Sequence, residues 1–196
     1  MKKFILSSLL AIFFSGFISV FAQQQTDEQK AAQQKWMAYM APGTVHGIFA
    51  KLTGDWDAKM QMWMAPNTEP MTTTGTVKAE MLLGGRYLQM KYNSTFMGMP
   101  YEGISTDGYD NGKKVYFNTW VDNMGTGIMY GEGTYDDGSK TVNYTGKMYD
   151  PMSGKDLSYR QTMHSTDDTH MIMEMFYPNP ADGKEFKSMH VEYTKK

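Results

Sequence analysis

The sequence predicts an all-β fold, a single antiparallel up-and-down β-barrel of about ten strands preceded by one or two short helices. Three observations carry this expectation. Clusters of turn-forming residues recur about every ten residues from Asp55 onward. The runs between them have strand length and are rich in Thr, Tyr, Val, Phe and Met. The first run, Asp55 to Met64, alternates Trp56, Ala58, Met60, Met62 and Met64 with the polar Asp57, Lys59 and Gln61, the period of a strand with one face inside. Closure follows physically, because an open sheet of that size leaves two unpaired edges.

Ahead of the strands, Met1-Lys2-Lys3 followed by the apolar run Phe4 to Val20 and the small residue Ala22 reads as an export signal. The run contains Ser and Gly and falls short of the about 20 apolar residues of a spanning helix. Residues 1–22 are therefore expected to be a cleaved signal peptide, and the mature chain to carry no membrane span and to be periplasmic or secreted. Residues 23–43 form a polar, Gln-rich helix or linker in which Thr26 and Gln29 have capping-box spacing. Pro42-Gly43 stops it, and a second short helix over Thr44 to Thr53 presents Ile48, Phe49 and Leu52. Residues 44–196 are the barrel domain.

Composition narrows function. Without Lys2 and Lys3 the chain has 17 basic against 21 acidic side chains and no basic block beyond Lys195-Lys196, so no nucleic-acid partner is expected. There is no Cys, hence no disulfide, thiol nucleophile or thiolate metal site. No G-x-S-x-G, H-E-x-x-H or phosphate-binding loop is present.

What remains is a cavity. The parity of Leu88, Met90, Tyr92 and Phe96 includes Arg86, and one parity of the last strand carries Phe186, Ser188, His190 and Glu192 while the other carries Met189, Val191 and Tyr193. A dry core would not readily accept Arg, His or Glu, so polar residues on inward parities point to water or ligand inside. Arg is used only at Arg86 and Arg160 against 17 Lys, which suggests positions needing a planar cation, either stacked on Trp56 at the closed end or binding a carboxylate in the cavity. Met is abundant, and the trios Met60, Met62, Met64 and Met171, Met173, Met175 each share a face. They are adaptable lining for an apolar ligand, or thioethers for a soft ion such as Cu(I), which His46, His164, His170 or His190 could complete. In "HSTDDTH", His164 and His170 are more simply the ends of paired strands. In "TWVDNMGTG", Asp122 and Asn123 read as turn-bonding side chains, Gly125 and Gly127 as backbone freedom, and Trp120 as core or cavity wall.

The segments "LTGDW", "LGGRYLQ", "FMGMPYEGISTDGYDNGKK", "TWVDNMGTGIM", "EGTYDDGSKT", "YDPMSGK", "DDTHMIMEMF" and "DGKEFKSMHVEYTKK" together resemble the domain-of-unknown-function family 1579 from about His46 to Lys195. The resemblance implies a calycin-like or lipocalin-like barrel without established activity, with Gly54 and Trp56 matching a G-x-W whose Trp packs at the closed end. Related nitrobindin-like barrels bind haem through a His on the final strand, and that position falls here on Ser188, with His190 two residues on.

The reading favoured is an exported barrel without cofactor or metal, holding a small hydrophobic or amphipathic ligand, with Met60, Met62, Arg86, Tyr92, Trp120, Asp122, Arg160, Met173 and His190 as cavity candidates. The alternatives are a solid barrel acting through its surface, or an enzyme using Asp122, Glu132 or His190 as acid or base.

Overall fold

A computed structural model of the chain describes residues 26–196. The expected signal peptide lies outside the described residues. Two helical segments, α1 (Asp27–Met40) and α2 (Thr44–Lys51), precede ten strands: β1 (Gly54–Met62), β2 (Met71–Leu82), β3 (Tyr87–Phe96), β4 (Met99–Asp110), β5 (Val115–Asp122), β6 (Met129–Asp136), β7 (Thr141–Asp150), β8 (Lys155–Ser165), β9 (His170–Pro178) and β10 (Glu185–Lys195). Each strand pairs antiparallel with the next, and β1 pairs with β10, so the sheet closes and no edge is left free. Among the described residues, no helix is long and apolar enough to cross a membrane.

The capping box forms at Thr26: its hydroxyl accepts from Gln29 N at 3.2 Å, and the Gln29 side chain accepts from Thr26 N at 2.9 Å. Helix α1 nevertheless buries no side chain. It is held at its C-terminal end, where Asn111 Nδ2 donates to Tyr39 O at 3.1 Å and to Ala41 O at 2.8 Å. Helix α2 seals one end of the barrel. Phe49 packs edge-on against Tyr116 with centroids 6.1 Å apart, and Val45 and Leu52 lean on the same cluster. His46 belongs to this plug: its Nδ1 accepts from Gly43 N at 3.0 Å, its ring meets Tyr109 edge-on, and burial holds its pKa below the usual value.

Trp56 sits where this plug meets the sheet, fully buried, and its indole N–H donates to Leu52 O at 2.9 Å. The cation over its ring is Lys195, with Nζ 5.4 Å from the ring centroid, and not either Arg. Lys195 Nζ also donates to Lys51 O at 2.9 Å, which ties the end of β10 to the end of α2.

Alternation holds in β1, with Trp56, Ala58 and Met60 inside, but it cannot be carried along β10. A register shift between Lys187 and Met189 puts one extra residue into β10 opposite β9. Ser188 is therefore buried below the shift while Val191 and Tyr193 are buried above it, and His190 and Glu192 turn outward. The expected inward parity of His190 and Glu192 is corrected by this bulge.

Candidate functional site

The interior has two halves. Next to α2 it is filled by Phe49, Trp56, Val77, Leu88, Tyr116, Tyr144, Met171 and Val191. Towards the opposite end it holds a cavity of about 220 Å³. The apolar wall comes from Met60 on β1, Met129 on β6, Met148 on β7, Met163 on β8, Met173 and Met175 on β9, and Met189 on β10. The register explains how sparse sequence spacing becomes a continuous lining. Met163 lies opposite Met173, Met175 opposite Met189, and Met189 opposite Met62.

Aromatic side chains complete the wall. Tyr92 packs edge-on to Trp120 at 5.0 Å and shares a 3.1 Å hydrogen bond with the Tyr193 hydroxyl. Burial pushes the Tyr92 and Tyr193 phenols well above their ordinary pKa. Trp120 lies across β4 at Gly103, where any Cβ would overlap Cζ2 of the indole, so only glycine leaves the ring its place. Asp122 fixes that ring: its Oδ2 accepts from Trp120 Nε1 at 2.8 Å and from Tyr101 Oη at 3.2 Å, while Oδ1 accepts from Met124 N at 3.0 Å. Asn123 does not brace its own turn as its sequence suggests. It stitches β5 to β4, accepting from Glu102 N at 3.0 Å and donating to Pro100 O at 3.0 Å.

Of the residues expected at the cavity, Met60, Tyr92, Trp120, Asp122 and Met173 line it. Met62 borders an adjoining recess with Phe96, Tyr101, Asp122 and Met124. Arg86, Arg160 and His190 lie elsewhere, each for an identifiable reason. Arg86 donates to Leu83 O at 2.9 Å and Met40 O at 2.8 Å, clasping the β2–β3 turn to the end of α1. Arg160 stacks on Phe176, 3.9 Å from the ring centroid, and grips Glu185 through Nε and a terminal nitrogen at 3.0 and 2.9 Å. Stacking together with a forked bond is what a guanidinium does and an ammonium does not, which accounts for Arg at that position. His190 faces outward between Glu174 at 3.1 Å and Glu192 at 3.4 Å. Glu132 also lies outside, held by Lys113 at 2.8 Å and by the Tyr130 hydroxyl at 2.7 Å.

The polar floor of the cavity was not foreseen from the sequence. It consists of Ser105 and Asp107 on β4, Asn118 on β5 and Gln161 on β8. Asp107 and Asn118 are register partners on adjacent strands, and Asp107 is only 6% exposed. Burial pushes the Asp107 carboxyl up to about 7, opposed in part by the Ser105 hydroxyl, which donates to Oδ2 at 3.1 Å. Among the described residues, Asn118 Oδ1 is buried without a hydrogen-bond partner. Asp107 stands in "STDGYD", where Asp-Gly reads as a turn; the chain in fact runs on in β4 to Asp110, and the turn follows at residues 111–114. The signal that could have found it is parity, since Tyr101, Gly103, Ser105, Asp107 and Tyr109 alternate along one face.

With this geometry in place, comparison with known proteins decides the family. The model of the family described as "Protein of unknown function (DUF1579)" matches residues 41–195. The chain belongs to the DUF1579 family. Its fold is similar to the crystal structure of Rv2717c from M. tuberculosis, at 11% sequence identity and a TM-score of 0.59, over 80% of this chain and 99% of that one. A redesigned β-barrel matches at 11% identity and a TM-score of 0.40, over 76% of this chain and 94% of that one. No curated protein matches the chain.

The haem position implied by nitrobindin-like barrels does not fit this DUF1579 member. Ser188 offers no ring nitrogen and donates its hydroxyl to Met175 O at 3.1 Å, and His190 points away from the cavity. Among the described residues, no group of three or more His, Asp or Glu side chains is arranged to hold a metal ion. His164 bonds Lys140 O of the β6–β7 turn at 3.2 Å, and His170 bonds Asp167 of the β8–β9 turn at 3.0 Å.

Proposed function

We propose that this DUF1579 barrel binds one small apolar or amphipathic molecule in its methionine-lined cavity, as an exported protein. The observation that carries the reading is the cavity itself: an interior that could have been packed solid keeps about 220 Å³ free, walled by flexible thioethers and aromatic rings above a few convergent polar groups. That volume lies below the roughly 300–1,000 Å³ of sites for drug-sized ligands, which favours a compact guest. Export rests on the basic start, the apolar run and the small residue at Ala22.

Methionine methyl groups provide the test. With ¹³C-methyl-labelled methionine and a titration with n-hexanol, the shifts should be confined to the methionines of the cavity wall, Met60, Met129, Met148, Met163, Met173, Met175 and Met189. Met64, Met97 and Met152, which are 69%, 73% and 93% exposed, should stay in place. Shifts spread over the exposed methionines, or no saturable shift with either n-hexanol or n-hexylamine, would move function to the outer surface of a barrel whose interior admits nothing.

A further inference from the structure

The cavity floor is unbalanced in charge. Among its lining residues are two carboxylates, Asp107 and Asp122, and no Lys, Arg or His. Asp122 spends its oxygens on Trp120, Tyr101 and Met124 N. Among the described residues, Asp107 has one donor, the Ser105 hydroxyl at 3.1 Å. Beside it, Asn118 Oδ1 is a buried acceptor with no donor, and the neighbouring row position on β6 is Gly131, where a Cβ would come within 2.8 Å of that oxygen. A buried carboxylate next to an unused acceptor is costly unless something supplies protons and positive charge.

We propose that the guest is a small amphipathic amine, with its ammonium group set between Asp107 and Asn118 Oδ1 and its apolar part against the methionines. This deepens the binding reading and rests on it. A carboxylate or phosphate head would add a negative charge against Asp107 and Asp122, whereas an ammonium pairs the buried charge and satisfies the open acceptor. Tyr92 and Trp120 also line the cavity, and aromatic rings suit a cation as a neighbour. Gln161 is an amide with both donors and an acceptor, so it tolerates either sign and leaves the choice to Asp107 and the open Asn118 oxygen.

The pH dependence follows from the same arrangement. The other titratable groups acting on Asp107 are tyrosines, Tyr92 from β3, Tyr144 from β7 and Tyr193 from β10, all raised by burial and neutral near pH 7. Asp107, raised to about 7, is therefore the group that changes charge in that range. Below it, binding an ammonium must release the Asp107 proton, so amine affinity climbs with pH, up to roughly tenfold per unit, and levels off once the carboxyl is ionised.

Isothermal titration of the purified protein at about pH 8 with n-hexylamine, n-hexanol and hexanoate tests this. Hexylamine should bind roughly tenfold or more tighter than hexanol, and hexanoate should bind weakest. Asp107→Asn should bring hexylamine down to the level of hexanol, a loss of roughly tenfold or more. The wild-type pH profile is a second readout that needs no variant: hexylamine affinity should rise up to about pH 7 while hexanol stays flat. Hexanol or hexanoate binding as well as hexylamine, a hexylamine profile flat with pH, or Asp107→Asn leaving hexylamine unchanged would overturn the amine and leave the binding reading standing. Binding of none of the three probes would overturn both.

Discussion

Replacing Trp56 by Ala should destabilise the barrel by about 3–5 kcal/mol, a large share of the roughly 5–15 kcal/mol that holds an ordinary domain together. Trp56 is fully buried at the junction of three elements: β1 carries it, α2 ends against it, and Lys195 of β10 covers it. Truncation would leave a cavity the size of an indole between Val77, Leu88 and the α2 plug, because a closed sheet cannot collapse inward at one point. It would also orphan Leu52 O, the acceptor of the Trp56 N–H at 2.9 Å. Trp56→Phe keeps most of the packing and loses chiefly the hydrogen bond, so it should cost about 1–2 kcal/mol. Urea unfolding with an unchanged slope separates the two variants. A loss below about 1 kcal/mol for the Ala variant would mean that α2 does not seal the barrel through this residue.

Asp107→Asn should change how stability depends on pH. The folded carboxyl titrates near 7, against about 3.9 in an unfolded chain. Between those values the folded state holds a proton that the unfolded state has released, so wild-type stability falls as pH rises through the window, by up to about 1.4 kcal/mol per unit. Summed across the window the effect is on the order of 4 kcal/mol. The asparagine variant cannot titrate there and lacks this slope. The surface carboxylates of Asp110, Asp136 and Asp150, lowered by hydrogen bonds from their own turns, act at lower pH and are common to both proteins, so they cancel in the difference. Unfolding free energies of the two proteins, measured from about pH 4.5 to pH 7.5, should diverge steadily in favour of the variant. Parallel curves would mean that Asp107 is solvated and that the floor of the cavity is wet.

Much of the fold is legible because it rests on local rules. Turn residues space the strands, and β1 alternates cleanly from Trp56 to Met60 because one face meets the core. The cavity wall was partly legible for the same reason, since Met60, Tyr92, Trp120, Asp122 and Met173 follow from alternation alone. What escaped depends on long-range or irregular geometry. The β10 bulge inverts parity within one strand, so His190 reads as inward while it sits outside beside Glu174. Arg86 and Arg160 are recognisably special by their scarcity, yet their partners, Met40 and Glu185, are 46 and 25 residues away and no local pattern names them. Asp107 was hidden by the Asp-Gly pair that follows β-turn statistics but here belongs to a strand.

A ligand held in the cavity would be seen by native mass spectrometry of the protein purified from its host without added ligand and then incubated with cell extract, wild type beside Met173→Trp. Met173 lines the cavity from β9 opposite Met163, and an indole there fills the space without touching the outer surface. One organic adduct per chain is expected on the wild type, and a bare mass on a Met173→Trp variant that melts as a folded protein. A bare wild type after every extract, or an adduct that the filled cavity leaves undiminished, would contradict binding in the cavity.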